Sequence, residues 1–267
     1  MLQISVLCKE GMWPYQVLQN TSGRDAPVYL NVENISYSYG NVRALRNVSF
    51  SANLGEVTGI IGANGAGKTT AMRIITRYLV PQSGDVFIDG RSIRHWRNED
   101  FPVSYIPDEP VFYEELTLLE HLHFVKALYP KNLQDIEGLI GRFEFYDHIN
   151  KVPSSLSKGN RQKLMIALAL LREYQILIAD EPFTGLDPNQ IYNLKNILSE
   201  QRKMGKAVLL STHLLDMIDN LCDRYVILHK GYLLAAGTKE DIQAAFDIEG
   251  AASLEAIYLE ITKRMEK

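Results

Sequence analysis

Gly62-Ala-Asn-Gly-Ala-Gly67-Lys68-Thr69 decides how this chain is read. The stretch fits the pattern GxxxxGK[ST] without a mismatch. It follows a strand-like run, Glu56–Ile61, and opens a segment in which Met72, Ile75 and Leu79 recur at helical spacing. Strand, glycine-rich turn and helix, in that order, are the context in which such a loop cradles phosphate. Glycines let backbone N–H groups turn inward and approach an anion closely, and the helix N-terminus adds positive partial charge. In that geometry Lys68 reaches the β- and γ-phosphates of a nucleotide, and the Thr69 hydroxyl holds Mg²⁺. Gly62, Asn64, Gly65, Ala66, Gly67 and Thr70 complete the candidate nucleotide-binding residues of the loop.

The pattern continues on both sides. Val28–Ile35 alternates apolar and polar like a strand, and Val48–Leu54 and Val86–Ile88 add short strands. Thr117-Leu-Leu-Glu120 has the form of a capping box, with Leu118, Leu122, Val125 and Tyr129 on one helical face before Pro130. Ile176–Ala179 and Ala207–Leu210 are continuous apolar runs of the kind buried in a parallel sheet. Tyr225–Leu228 and Gly231–Ala235 read as a late hairpin, and Leu254, Ile257, Tyr258 and Ile261 fall on one face of a terminal helix. Strands alternating with helices predict an α/β fold with a mainly parallel sheet.

Composition excludes other classes. The chain has 267 residues, 46% hydrophobic and 22% charged, with a net charge of −4. That is ordinary globular composition, and the acidic balance argues against nucleic acid as a partner. Its two cysteines, Cys8 and Cys222, make neither a disulfide scaffold nor a zinc site, which fits a reducing, cytosolic setting. The longest apolar run, Leu164–Leu171, is far short of the about 20 residues that span a bilayer.

Ile176-Leu-Ile-Ala-Asp180-Glu181 ends an apolar strand in two carboxylates. Asp180 at a strand tip reaches Mg²⁺ or its waters, and Glu181 can orient and polarise an attacking water. Four further stretches turn a generic NTPase into a recognisable pattern. Leu156-Ser157-Lys158-Gly159-Asn160-Arg161-Gln162 resembles the signature sequence of ABC-type ATPases. Thr184-Gly185-Leu186-Asp187-Pro188 resembles the family's D-loop, and Ser211-Thr212-His213 its switch histidine. Tyr37-Ser-Tyr39-Gly40 resembles the segment whose aromatic ring stacks on adenine, with Tyr39 as the candidate. The text from Tyr105 to Leu122, with Ser157-Lys158-Gly159 and Tyr258–Thr262, is similar to Ecs-type ATPases of Gram-positive bacteria.

The resemblance implies a P-loop NTPase (RecA-like) core with an N-terminal antiparallel β subdomain and an inserted α-helical subdomain. Residues 1–27 then form an N-terminal extension, 28–240 the ATPase domain with its helical subdomain at about 101–165, and 241–267 a C-terminal helical tail. It implies ATP and Mg²⁺ as cofactors, and two such domains closing head to tail on two ATP. The partner is a second ATPase subunit, either an identical chain or a close paralogue. Lys68, Thr69, Asp180, Glu181 and His213 would serve one site, with Lys68, Glu181 and His213 in the catalytic roles. Ser157 and Gly159 would complete the partner's site, with Asp187 beside the nucleotide. It further implies a separate integral membrane permease, export-type transport, and a peripheral location on the cytoplasmic face of the cell membrane. Phe112, Tyr113, Leu116 and Phe124 would lie where the membrane subunit docks. A soluble ATPase acting in iron–sulfur assembly is the alternative.

This chain departs from the family pattern at three positions. Lys158 and Asn160 stand where Gly and Gln are usual, and Asp108 stands at the Q-loop position where Gln is usual. A carboxylate there would join Asp180 and Glu181 around one Mg²⁺, making Asp108 a third candidate metal contact. Thr238-Lys239-Glu240-Asp241 fits a loose guanine-reading pattern, but its position after the hairpin predicts a turn and a helix start. His121 and His123 are two apart, do not share a helical face, and are read as surface residues. Arg91, Arg94, His95 and Arg97 are read as a solvated basic face.

Overall fold

The computed structural model describes residues 29–130, 135–248, 250 and 252–265. The extension expected at 1–27, with Cys8, lies outside them. Ten strands and eight α-helices are formed among the described residues. The first sheet contains β1 (Leu30–Tyr39), β2 (Val42–Ala52), β4 (Ser83–Ile88) and β5 (Arg91–Ser92), in the order β2-β1-β4-β5. Its pairings are antiparallel. The second sheet contains β3 (Val57–Ile61), β6 (Val103–Ile106), β7 (Ile176–Asp180), β8 (Ala207–Thr212), β9 (Arg224–His229) and β10 (Tyr232–Gly237). Its order is β10-β9-β3-β8-β7-β6, parallel throughout except for the β9–β10 hairpin.

The second sheet is buried on both faces, which explains why its strands read as continuous apolar runs. Successive side chains face opposite layers. Leu177 and Ala179 of β7 and Val208 and Leu210 of β8 join the core beneath the helices. Ile176, Ile178, Ala207 and Leu209 join the core shared with the antiparallel sheet and with α1 (Lys68–Ile75).

Helices α2 (Leu118–Leu128), α3 (Ile136–Phe143) and α4 (Lys158–Leu170) lie between β6 and β7 in the chain. The capping box on α2 is formed, with Thr117 and Glu120 each bonding the other's backbone N–H. Residues 103–106, inside the span assigned by sequence to a helical insertion, are the edge strand β6; four residues flanked by Pro102 and Pro107 are too short to distinguish from helix by period. Helix α5 (Pro188–Lys203) precedes β8, and α6 (Leu215–Ile218) follows it. Helices α7 (Lys239–Ala245) and α8 (Leu254–Met265) end the described chain. Thr238 caps α7 through a capping box with Asp241, and Lys239 pairs with Asp219, so the guanine-reading pattern is a helix start.

The central strand β8 has no solvent face, and Leu209 within it is fully buried. Leu209→Ala is expected to cost about 2–5 kcal/mol of unfolding free energy, through lost burial and the cavity left behind. Chemical denaturation with unchanged slope and a lower midpoint is the expected result.

Candidate functional site

Three parallel strands bring the site together at their C-terminal ends. β3 runs into the glycine loop, β7 ends at Asp180, and β8 ends at Thr212. Register pairs Ile61 with Thr212 and Asp180 with Ser211, so the three tips are level.

The loop closes on itself. Ala66 N–H donates to Ala63 O at 3.0 Å, and Gly67 caps α1 in the left-handed region with φ 107°. A Cβ on Gly67 would sit 2.6 Å from Ala44 O, and one on Gly62 would sit 2.4 Å from Leu228 O. Both positions therefore need glycine for backbone approach. Lys68 is buried and curls back over the loop. Its Nζ donates to Gly62 O at 2.8 Å and Ala63 O at 3.4 Å, and lies 3.3 Å from Glu181 Oε1.

Asp180 is fully buried. Its Oδ1 accepts from Thr69 Oγ1 at 3.2 Å and from Ser211 Oγ, and its Oδ2 accepts from Tyr105 OH at 3.3 Å. Burial, then the Asp180 charge, holds the Tyr105 phenol far above its ordinary pKa, so it remains a donor. Hydroxyls around a buried carboxyl group form a hard-oxygen donor set of the kind that suits a hard cation. Among the described residues no cluster of three His, Cys, Asp or Glu side chains could hold a metal without other ligands.

Glu181 leaves the strand in the left-handed region, φ 45°, with its N–H bonded to Ser211 O and Oγ. That turn points its carboxylate away from Asp180's partners. Oε1 meets Lys68, while Oε2 accepts from His213 Nδ1 at 2.9 Å and His213 N at 3.4 Å. Such a left-handed non-glycine backbone stores strain and clusters at functional sites. The bond to Glu181 fixes the proton on His213 Nδ1 and leaves Nε2 on a half-exposed ring.

Other candidates sit around this centre. Asp108 follows β6 and is exposed; partial burial, then the charges of Asp180 and Glu181, raise its pKa above the usual carboxylate value. Lys158 opposes that shift, so two of the departures from the family pattern carry opposite charges near each other. Tyr39 is exposed at the end of β1, edge-on to Tyr37 at 4.9 Å. Burial lowers the Arg73 pKa, but the neighbouring hydroxyls of Tyr39 and Tyr105 outweigh it and hold the guanidinium above its ordinary value. Ser157 caps α4 by accepting Asn160 N–H at 3.3 Å, and Gly159 packs against Gln190. Asp187 caps α5 by accepting Gln190 N–H at 2.9 Å. Among the described residues no hydrogen bond or ion pair joins Ser157, Gly159 or Asp187 to the phosphate loop.

His121 corrects the surface reading. It is buried, its Nδ1 donating to Thr117 O at 2.8 Å and its Nε2 accepting Tyr113 N–H at 3.1 Å. The ring pins the segment after β6 onto α2, because the side chain folds back over the helix's first turn. His123 is exposed as expected. Arg91 rests on Trp96, Arg94 pairs with Asp85, and Arg97 with Asp100 and Glu99, so the basic cluster is internally partnered. Tyr105, Arg73 and Ser211 were not singled out by the sequence; the only local sign was a polar hydroxyl within an apolar strand.

Residues 45–184 match the family model described as ABC transporter. The chain is 37% identical over 242 residues to the ABC-type transporter ATP-binding protein EcsA of Bacillus subtilis, covering 88% of this chain and 96% of that protein. It is 32% identical over 209 residues to the SkfA peptide export ATP-binding protein SkfE of Bacillus subtilis, covering 77% and 87%. A solved ATP-binding subunit of an ABC transporter superposes with a TM-score of 0.80 at 38% identity, covering 88% of this chain and 99% of the other. With the loop, the paired carboxylates and the histidine already meeting at level strand tips, the chain belongs to the ATP-binding, ATP-hydrolysing domains of the ABC transporter family.

Proposed function

We propose that this protein is the ATP-driven subunit of an export-type ABC transporter, acting in pairs around two ATP and powering a separate membrane permease from the cytoplasmic face. The observation that carries the chemistry is the cluster Lys68–Glu181–His213 at the strand tips. ATP phosphate is a stronger partner for Lys68 than the carbonyls of Gly62 and Ala63, so nucleotide draws the ammonium onto the β- and γ-phosphates. Glu181, released from Lys68 but still held by His213, orients a water in line with the γ-phosphorus. As the new P–O bond forms and the bond to the bridging oxygen breaks, the Glu181 carboxylate takes the proton of the water. Mg²⁺, when bound, neutralises charge developing on the phosphates, and Thr69 and Asp180 would hold it.

Tyr39 offers its exposed ring to the adenine, with Tyr37 edge-on behind it. Gly62, Asn64, Gly65, Ala66, Gly67 and Thr70 line the phosphates. The capped N-terminus of α4, with Ser157 and Gly159, supplies N–H groups to a γ-phosphate bound on the second subunit.

A permease fits the surface beside β6 and α2. Val111, Tyr113, Phe124 and Leu128 are exposed there, and Tyr113 meets Phe124 edge-on at 5.4 Å. Phe112 packs into the core instead, and Leu116 is half-buried. No helix among the described residues is long and apolar enough to cross a membrane, and this reading assigns the spanning part to the permease. The peptide-export relative supports the outward direction.

Purification of the tagged protein from detergent-solubilised membranes tests this reading. An integral membrane protein is expected to co-elute in constant ratio, and Tyr113→Glu with Phe124→Glu should release it. Recovery of soluble assembly partners alone would refute the transporter.

Asp108 tests the metal-facing carboxylate. Its folded pKa is raised, so its contribution to stability is present below the ordinary carboxylate pKa and is lost as pH rises through the folded value. Without Mg²⁺, Asp108→Asn should therefore melt above wild type at neutral pH and together with it in acid. In the same variant the Mg²⁺ dependence of ATP hydrolysis should shift; an unchanged dependence would remove Asp108 from the metal site.

A further inference from the structure

The exposed outer limb of the phosphate loop makes a side-chain hydrogen bond with a distant part of the chain, and the catalytic scheme does not use it. The backbone N–H of Ala63 donates to the Tyr258 hydroxyl on α8 at 3.1 Å, across 195 residues of sequence. We propose that Tyr258 is a positioning residue for the phosphate loop, and that α8 is a strap tying this loop to the arm behind His213.

Both ends of the strap are anchored. Leu254, Ile257, Tyr258 and Ile261 share one helical face. Leu254, Ile257 and Ile261 are buried in the core that contains Ile218 and Leu221. Ile218 belongs to α6, which begins two residues after His213. Asp219, at the end of α6, accepts Leu254 N–H at 3.3 Å and pairs with Lys239 at 2.7 Å. Its carbonyl accepts the Tyr225 hydroxyl at 2.9 Å. Helix α8 is therefore fixed to the His213 arm by apolar packing and by a backbone bond at its first turn. One turn further on, its half-buried tyrosine reaches the loop.

The loop needs such a restraint on its outer limb. Residues 63–65 are exposed, whereas residues 66–68 are buried and held by Ala44, Gly231 and the start of α1. The Tyr258 bond fixes the first peptide after Gly62 from outside. It does so without occupying the N–H groups of residues 65–69, which turn toward phosphate in loops of this kind. Two sites joined by one rigid element share a coupling free energy, and the coupling is reciprocal. If α8 positions the loop for nucleotide, then nucleotide must in turn steady α8 and, through Asp219, the arm that carries His213. The inference rests on nucleotide binding at the loop and not on transport.

Hydrogen exchange of the full chain, with and without the non-hydrolysable analogue AMP-PNP and Mg²⁺, tests the strap. In the wild type the analogue should slow exchange over residues 62–70 and also over residues 254–265. Tyr258→Phe retains the ring and its packing but removes the acceptor. The variant should keep protection over residues 62–70, lose the nucleotide-dependent protection over residues 254–265, and bind the analogue about twofold to tenfold more weakly, as loss of one neutral hydrogen bond allows. Its melting temperature without nucleotide should stay at the wild-type value. Helix α8 exchanging at one rate with and without the analogue in the wild type would overturn the proposal. So would wild-type affinity and α8 protection in Tyr258→Phe. Absence of protection over residues 62–70 in the wild type would overturn the nucleotide site itself, a result separable from failure of the strap.

Discussion

The parallel register of β3, β8 and β7 is the constraint on which everything else depends. Ile61 stands beside Thr212, and Asp180 beside Ser211, so three chain segments leave the sheet at one level. A parallel sheet sets side chains by strict alternation, and a slip of one residue would exchange every inward side chain for an outward one. At the tip of β7 that would exchange the two carboxylates. As formed, Asp180 is sealed among the hydroxyls of Thr69, Ser211 and Tyr105. Glu181, turned by its left-handed backbone, faces Lys68 and His213. Adjacent residues of the same type thereby acquire different surroundings and different work.

The buried charges explain why the arrangement is poised. Lys68 and Glu181 are both nearly removed from water, and a buried pair loses solvation that mutual attraction only partly restores. Lys68 completes its coordination with backbone carbonyls, which a phosphate can displace. Asp180 is a buried carboxyl group among hydroxyls, a hard-oxygen donor set that suits a hard cation. ATP with a divalent cation would supply both kinds of partner, an anion for Lys68 and a hard cation for Asp180. The strain at Glu181 is maintained by the same sheet, because its N–H is held by both Ser211 atoms.

Legibility followed sequence distance. The loop, the Asp180–Glu181 pair and the capping boxes at Thr117 and Thr238 were readable because each is a contiguous stretch whose chemistry acts over a few residues. The two-sided burial of the second sheet was readable from its unbroken apolar strands. Tyr105, Arg73 and Tyr258 were not, since their partners lie far along the chain and nothing local distinguishes a hydroxyl that bonds Asp180 from one that meets solvent. His121 was misread because helical periodicity describes which face a side chain leaves from, not that it folds back to hold Tyr113 and Thr117. The strand β6 was absorbed into an expected helical insertion because four residues carry too little period to decide.

In the proposed mechanism the level strand tips form one site in which Glu181 activates the water that cleaves ATP. Glu181→Gln preserves the shape and the bond to His213 while removing the base. Steady-state hydrolysis measured beside equilibrium ATP binding is the most direct test. ATP affinity close to wild type is expected, with turnover reduced about 10²- to 10⁴-fold. Turnover within about tenfold of wild type would contradict the mechanism.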